Sequence, residues 1–329
     1  MEYRHGGRRD RAVAAASFTI DAGQFFGLVG ESGCGKSTVA KTLLRLLPPT
    51  ARVTDGTVRL RHQELLGLTE RAMRRVRWRE IAYIPQSALN TLDPVVRVGE
   101  QVGDAFRLHG SAPEGEIGGR VRALFEMVGL DPARENDFPH QFSGGMRQRV
   151  TIAMAFALGP SLVIADEPTT ALDVLVQDQI LAQIRDLRAR LGHAMLLITH
   201  DISLVAENCE AVAVMYAGRV VERGPTSAIF TEPAHPYTLG LQNAFPNLRG
   251  PKRDLIAIPG SPPGPDAPLA ACAFAPRCPF AQPRCAQASP AWTEVSPGHG
   301  VACHFPERAA DFRALSVEPD TWRRRTVAS

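Results

Sequence analysis

The stretch "FFGLVGESGCGKSTVAKTLLRLL", Phe25 to Leu47, decides the fold. Phe25 to Val29 is an apolar run of strand length. Gly30-Glu31-Ser32-Gly33-Cys34-Gly35-Lys36-Ser37 then fits G-x-x-x-x-G-K-[ST], and Thr38 to Leu47 reads as a helix stopped by Pro48-Pro49. Strand, glycine-rich loop and helix in that order make a phosphate cradle. The glycines let the backbone turn its N–H groups inward, and the helix N-terminus adds the positive end of its dipole. Lys36 is expected to reach the β- and γ-phosphates, Ser37 to ligate Mg²⁺, and the loop from Gly30 through Thr38 to line the nucleotide. The plainer reading is a strand-to-helix turn that holds nothing, and the matching flanks count against it. Cys34 reads as a small tolerated residue inside the loop. A redox-sensitive thiol is the alternative, because a helix N-terminus lowers a thiol pKa.

A second apolar strand, Leu162 to Ala165 in "PSLVIADEPTTALD", ends in Asp166-Glu167. In a nucleotide-binding α/β sheet that strand end faces the phosphates. Asp166 is expected to hold Mg²⁺, and Glu167 to act as the general base on the attacking water. A third strand, "AMLLITHD", ends at His200, where an imidazole can meet the γ-phosphate and orient the water. Between loop and acid site, Ser143-Gly144-Gly145 precedes a long helix from about Met146 and makes another anion-binding helix end. One nucleotide has no obvious use for both ends. Two chains packed head to tail do, each lending one end to each of two nucleotides.

Composition is compatible with this and adds exclusions. The 329 residues allow one large domain or two unequal ones, 44% are apolar and 22% charged, and the net charge is +3. That charge is too small to argue for nucleic acid. The basic run "RAMRRVRWRE", Arg71 to Glu80, reads as a solvated helix face, with Trp78 stacking on a base as the competing idea. "MEYRHGGRRDR" opens the chain without a secretory signal, and no window reaches about 18 uninterrupted apolar residues. A reducing cytosolic setting is therefore expected, which disfavours a disulfide framework.

With these residues in view, the chain resembles the nucleotide-binding subunits of ABC transporters. "GESGCGKS" is similar to the Walker A motif, "FSGGM" to the signature motif usually written LSGGQ, "LVIADE" to Walker B, "ALD" to the D-loop, "THD" to the switch histidine, and Gln86 in "IAYIPQSALN" to the Q-loop. Phe142 stands where the signature usually has Leu, an apolar exchange. "QSALNTLDPVVRVGEQV", "SGGMRQRVTIAMA", "EPTTALDV" and "PAHPYTLGLQNAFP", with the tail "IPGSPPGPDAPLAACAFAPRCPFA", narrow the resemblance to the oligopeptide/dipeptide import subfamily, from about Glu2 to Phe305.

The resemblance implies an α/β fold: an ABC-type RecA-like core with an antiparallel β subdomain and a helical subdomain of about residues 92–146. It places the nucleotide-binding domain at 1–245, a Pro-rich linker at 246–270 and a Cys-containing extension at 271–329. It implies ATP and Mg²⁺ as ligands, with Gln86 sensing both the metal and the γ-phosphate beside the groove for the permease coupling helix. Gly144 and Gly145 are expected to meet the nucleotide of a second ABC subunit, a paralogue or another copy. Two membrane permeases and, indirectly, an extracytoplasmic solute-binding protein complete the expected assembly at the cytoplasmic face of the membrane, with no nucleic-acid partner. Tyr3 is the expected adenine-stacking residue, although a loop carrying Arg4, Arg8, Arg9 and Arg11 is expected to part it from the next strand. Related importer ATPases for nickel, glutathione or oligosaccharide, and soluble ATPases of carbon–phosphorus lyase complexes, are the alternative functions.

The tail carries four of the six cysteines, Cys272, Cys278, Cys285 and Cys303, spaced C-x5-C-x6-C-x17-C. A segment so rich in Pro, Gly and Ala builds little apolar core and is expected to be extended and stapled. The spacing lacks the paired C-x2-C knuckles of zinc sites, while four soft thiolates with a Cys278-Pro279 step suit a [4Fe–4S] cluster. Zinc, with His299 or His304 replacing a thiol, remains open, as do free thiols or a disulfide. Sequence distance from the phosphate loop argues against a direct part in hydrolysis. Cys209 stands alone and reads as a core residue.

Overall fold

The computed structural model describes residues 1–5, 8–86, 91–170, 172–245, 255–264 and 270–323. Most of the expected linker, 246–254 and 265–269, lies outside them, as do residues 87–90 of the Q-loop stretch and Ala171 of the D-loop. The chain falls into two compact units, Met1–Thr19 with Phe26–Gly56 and Thr199–Ser329, and Ile20–Phe25 with Thr57–Ile198.

The first unit holds a five-stranded mixed sheet. Phe25–Val29, all but its first residue in this unit, pairs parallel with Ala211–Tyr216. Ala211–Tyr216 pairs antiparallel with Arg219–Pro225, across an irregularity at Val214/Met215. The two parallel strands are buried almost throughout, which is why both read in sequence as unbroken apolar runs rather than alternations. The cysteine-containing tail then continues this sheet: His299–Val301 pairs with Arg219–Pro225, and Thr293–Ser296 pairs with His299–Val301. The Pro-rich residues 255–264 form neither helix nor strand.

A smaller antiparallel sheet sets Glu2–His5 between Arg8–Arg11 and Ala51–Arg52. The arginine-rich stretch is therefore partly strand, which corrects its reading as a loop. In this register Glu2 lies opposite Arg11, and their side chains close an ion pair at 3.1 Å. The helix after the phosphate loop spans Lys36–Leu43 and ends four residues earlier than its apolar run suggests. Arg45 takes φ 51, and the N–H groups of Arg45 and Leu46 return to the carbonyls of Thr42 and Lys41. This is the reciprocal pair of bonds that closes a helix at a left-handed residue.

The second unit carries three parallel strands with Leu162–Asp166 in the middle, flanked by Ile81–Ile84 and Ala194–Thr199. Residues 98–156 contribute the helices Val98–His109, Glu114–Met127 and Gly144–Phe156. The basic run lies mostly on the short helix Glu70–Val76, capped by the Thr69 hydroxyl, which accepts the Ala72 N–H. Trp78 is half-buried and its indole N–H donates to the Met154 carbonyl, so the ring is committed to packing. Among the described residues, no helix is long and apolar enough to cross a membrane.

One buried carboxylate organises the first unit. Glu222 is fully buried; it accepts the N–H groups of Ala234 and His235 at 2.6 and 3.0 Å, and its carboxylate lies 2.8 Å from His299 Nε2. It thereby ties a central strand to the start of the helix Pro236–Ala244 and to the tail hairpin. Breaking such an arrangement from one side strands buried polar groups and costs about 3–5 kcal/mol. Glu222→Leu is expected to lower unfolding free energy by about that amount in urea titration; a loss of under about 1 kcal/mol would show that the carboxylate is dispensable.

Candidate functional site

The phosphate loop is built by close approach. A side chain at Gly30 would meet the Met215 carbonyl at 2.0 Å, and one at Gly35 the Ala12 carbonyl at 2.5 Å, with Gly35 also at φ 106. Both positions therefore need glycine on steric grounds, before any ligand is considered. Gly33 adds φ 81, while Ser32 and Gly33 are exposed at the loop tip. Lys36 is only 5% exposed; its ammonium donates to the carbonyls of Gly30 at 2.6 Å and Glu31 at 3.0 Å, which places its charge within the loop. Ser37 and Thr38 follow in the first helical turn. Burial pushes the Cys34 thiol up, with Lys36 opposing, so the structure favours the packing role over an activated thiol.

Tyr3 is half-buried, and its hydroxyl lies 3.4 Å from Thr38 Oγ1. His200 is exposed just beyond the strand Ala194–Thr199. Asp201 after it caps the helix Ile202–Asn208 by accepting the Ser203 N–H.

In the second unit, Asp166 ends its strand at 1% exposure and accepts a hydrogen bond from Tyr83 Oη at 2.9 Å. Burial and the neighbouring Asp166 raise the Tyr83 phenol above its ordinary range, so it stays a donor. Glu167 takes φ 46, a left-handed pose unusual for a side chain of its kind, and its N–H donates to the Ile198 carbonyl at 2.8 Å. Its carboxylate accepts Gln86 Nε2 at 2.8 Å and Thr170 Oγ1 at 3.0 Å. Gln86 and Glu167 stand 81 residues apart in sequence and meet directly here. Ser143 is exposed at the N-terminus of Gly144–Phe156, its hydroxyl accepting the Met146 N–H, with Gly144 and Gly145 partly open beside it. Tyr83 and Thr170 were not singled out from sequence; Tyr83 stands three residues before Gln86 in "IAYIPQ", and only that proximity signals it.

Cys272, Cys278, Cys285 and Cys303 line one cavity with Phe274 and His304, and all are free thiols. The Cys272 N–H donates to the Cys285 carbonyl, drawing two of the four segments together. Burial, then neighbouring groups that include the other thiols, pushes Cys278 well above the ordinary thiol range and Cys303 up to about 11. His304 Nε2 lies 2.8 Å from the Ala288 carbonyl, which can only accept its N–H. His299 is paired with Glu222, which removes it from the candidate ligands. Among the described residues, no group of three or more His, Cys, Asp or Glu is gathered tightly enough to hold a metal ion. The cysteines thus share a cavity wall rather than a closed shell about one point.

The tail also reaches the phosphate loop. Arg277, next to Cys278, is 8% exposed and clasps the Glu31 carboxylate with two nitrogens at 2.6 and 2.9 Å. Sequence distance therefore does not keep the cysteine stretch from the loop, with Arg277 bonded to Glu31 across 246 residues.

Comparison with known proteins agrees with these features. The ABC transporter family matches residues 13–170, and the oligopeptide/dipeptide transporter C-terminal region matches residues 221–285. A Sinorhizobium fredii protein named "Probable peptide ABC transporter ATP-binding protein" is 47% identical over 297 residues, covering 89% of each chain. The dipeptide transport ATP-binding protein DppD of Bacillus subtilis is 41% identical over 309 residues, covering 93% of this chain and 92% of that one. Among solved structures, the dimeric post-hydrolysis state of the ATP-binding cassette MJ0796, bound to ADP and Pi, is similar with a TM-score of 0.61 at 27% identity, over 68% of this chain and 95% of that one. The phosphate loop, the strand-end acid pair and the alignment over nearly the whole chain identify a member of the ABC transporter ATP-binding protein family, an ATPase with the α/β fold of ABC cassettes and the C-terminal region of oligopeptide/dipeptide transporters.

Proposed function

We propose that this chain is the ATP-hydrolysing motor subunit of an importer for di- and oligopeptides. The contact that carries the catalytic part is the Gln86–Glu167 hydrogen bond, which couples a residue able to sense the phosphate to the candidate base. The solute class is supported by the peptide-transport names of relatives 41–47% identical and by the match over residues 221–285.

In this reading the N–H groups of Gly30 to Thr38 and the Lys36 ammonium bind the phosphates, and Tyr3 stacks on the adenine. Ser37, Asp166 and Gln86 would hold Mg²⁺, which would neutralise charge on the phosphate oxygens. Glu167 takes a proton from the water that attacks the γ-phosphorus, and His200 orients that water. A base of this kind gains from a fixed pose, and Glu167 has one through its backbone bond to Ile198 and its two side-chain donors. Ser143, Gly144 and Gly145 serve the nucleotide of a second ABC subunit, a paralogue in the simplest arrangement. Two permeases carry the solute across the membrane, fed by an extracytoplasmic binding protein, with this chain peripheral on the cytoplasmic face. The domain plan follows: nucleotide-binding domain to about residue 245, linker to 270, extension beyond.

Cys272, Cys278, Cys285 and Cys303 are the residues that would hold an iron–sulfur cluster. Four soft thiols border one cavity, a donor set whose chemistry suits such a cluster, with zinc the alternative. When bound, the cluster would supply thiolate bonds that cross-link a segment poor in apolar residues.

The tagged chain is expected to co-purify with two integral membrane proteins, and Glu167→Gln in that complex should bind ATP while hydrolysing it about 10²–10⁴-fold more slowly. Unchanged steady-state hydrolysis would remove Glu167 from the role, and a wholly soluble complex would sink the importer reading. Lys36→Ala is expected to weaken nucleotide binding itself, read by titration of a fluorescent ATP analogue; undiminished affinity would count against the phosphate-loop assignment. Anaerobic purification should yield iron together with a visible absorption band that is lost on Cys278→Ser. A sample holding zinc alone would reassign the site, and one lacking both metals would leave free thiols.

A further inference from the structure

We propose that Arg277 is a positioning residue of the nucleotide site, cancelling the charge of Glu31 so that the phosphate loop can accept a polyanion. This rests on the reading of Gly30 to Thr38 as that loop.

A carboxylate is out of place in an anion cradle. Glu31 is the second residue of the loop, and an uncompensated negative charge there opposes the phosphates that the backbone N–H groups and Lys36 attract. Arg277 answers it with a bidentate pair, Nη1 to Oε2 at 2.6 Å and Nη2 to Oε1 at 2.9 Å. The guanidinium is itself held from several sides. Its Nε donates to the Pro259 carbonyl at 2.9 Å, and Tyr216 lies beneath it, with the guanidinium carbon 5.8 Å from the ring centroid. A second grip on the same residue comes from Tyr237, whose hydroxyl accepts the Glu31 N–H at 2.8 Å. The side chain of Glu31 is therefore fixed through its carboxylate and its backbone through its amide, both by groups from the C-terminal third of the chain.

The placement of Arg277 gives the cysteine stretch a role that a staple alone would not have. Arg277 closes the short turn Ala275–Arg277, and its backbone N–H returns to the Phe274 carbonyl. Cys272 and Cys278 flank that turn and line the shared cavity. Whatever fixes these two cysteines fixes the point from which the guanidinium reaches the loop. Phe274, between them, packs edge-on to Tyr216 at 5.2 Å and against Tyr237 at 5.4 Å, so both contacts to Glu31 share one aromatic support.

Charge cancellation makes a prediction that mere propping does not. Arg277→Met leaves the Glu31 carboxylate bare beside the phosphates and is expected to raise the Kd for ATP about tenfold, the size expected of one charge acting on a polyanion across a partly solvated loop. Adding Glu31→Gln to Arg277→Met removes the offending charge and is expected to restore the Kd to within about threefold of the parent. Both are read by titrating a fluorescent ATP analogue into the purified full-length chain, with thermal unfolding recorded alongside. Arg277→Lys, which keeps the charge and loses the fork, is expected to fall between parent and Arg277→Met. A double variant as weak as Arg277→Met would overturn charge cancellation and leave only a prop. An Arg277→Met chain that binds ATP like the parent, while Lys36→Ala does not, would overturn the inference and spare the phosphate-loop reading. Parent-like binding by both would bring down that reading first. Should Arg277→Met fail to fold, the salt dependence of ATP binding in Arg277→Lys decides: a shallower fall than in the parent, because salt screens the uncancelled repulsion, supports the proposal, and an equal slope overturns it.

Discussion

A single buried carboxylate sets the frame on which the phosphate loop hangs. Glu222 fixes the N–H groups of Ala234 and His235, which opens the helix Pro236–Ala244 at a defined point. Burial pushes the His235 imidazole down to about 3, so it stays neutral, and its Nδ1 accepts the Tyr237 N–H. Tyr237 in turn receives the amide of Glu31. The oxygen that accepts the Ala234 N–H, Oε1, also meets His299 Nε2 and so locates the hairpin that follows the cysteine stretch. One acid thus sets the helix that touches the loop and anchors the tail that clasps it. Its cost is met by three polar neighbours at once, the condition under which a buried charge is tolerated.

What could be read from sequence divides along physical lines. The strands Phe25–Val29, Leu162–Asp166 and Ala194–Thr199 were legible because strands buried on both faces need continuous apolar runs. The phosphate loop was legible because two of its glycines are forced by backbone carbonyls and the third by φ, so the motif records a steric fact. The tail strands were not legible. Thr293–Ser296 is exposed throughout and His299–Val301 spans three residues, so neither carries an apolar signal; they exist because an existing strand offers them a hydrogen-bonding edge. Arg277 was invisible for a related reason. Its partner stands 246 residues away, and no local pattern announces an ion pair made by tertiary folding. The cysteines drew attention to the stretch, yet the residue that touches the nucleotide loop is the arginine between them.

The helix end at Arg45 and the hairpin at Arg8–Arg11 show the converse, where local pattern misled. An apolar run through Leu47 suggests ten helical residues, but the reciprocal bonds at Arg45 stop the helix at Leu43. A cluster of arginines suggests a loop, but the Glu2–Arg11 pair and the strand register make it half of a hairpin beside Tyr3.

The acid site carries its own departure from local preference. A glutamate at φ 46 costs of order 1–3 kcal/mol, and nothing in "LVIADEP" predicts that pose. It persists because Asp166 before it is locked in a buried strand and Pro168 after it is itself buried, leaving the turn between them little freedom. The Ile198 carbonyl then takes the Glu167 amide, and Gln86 and Thr170 take the carboxylate. Both donors fall on Oε2 of that carboxylate. Gln86 stands two residues past the strand Ile81–Ile84, so its amide reaches Glu167 from a strand end. For Glu167 in its proposed role as base, the donors that fix its pose also draw on the electron density of the oxygen they bond.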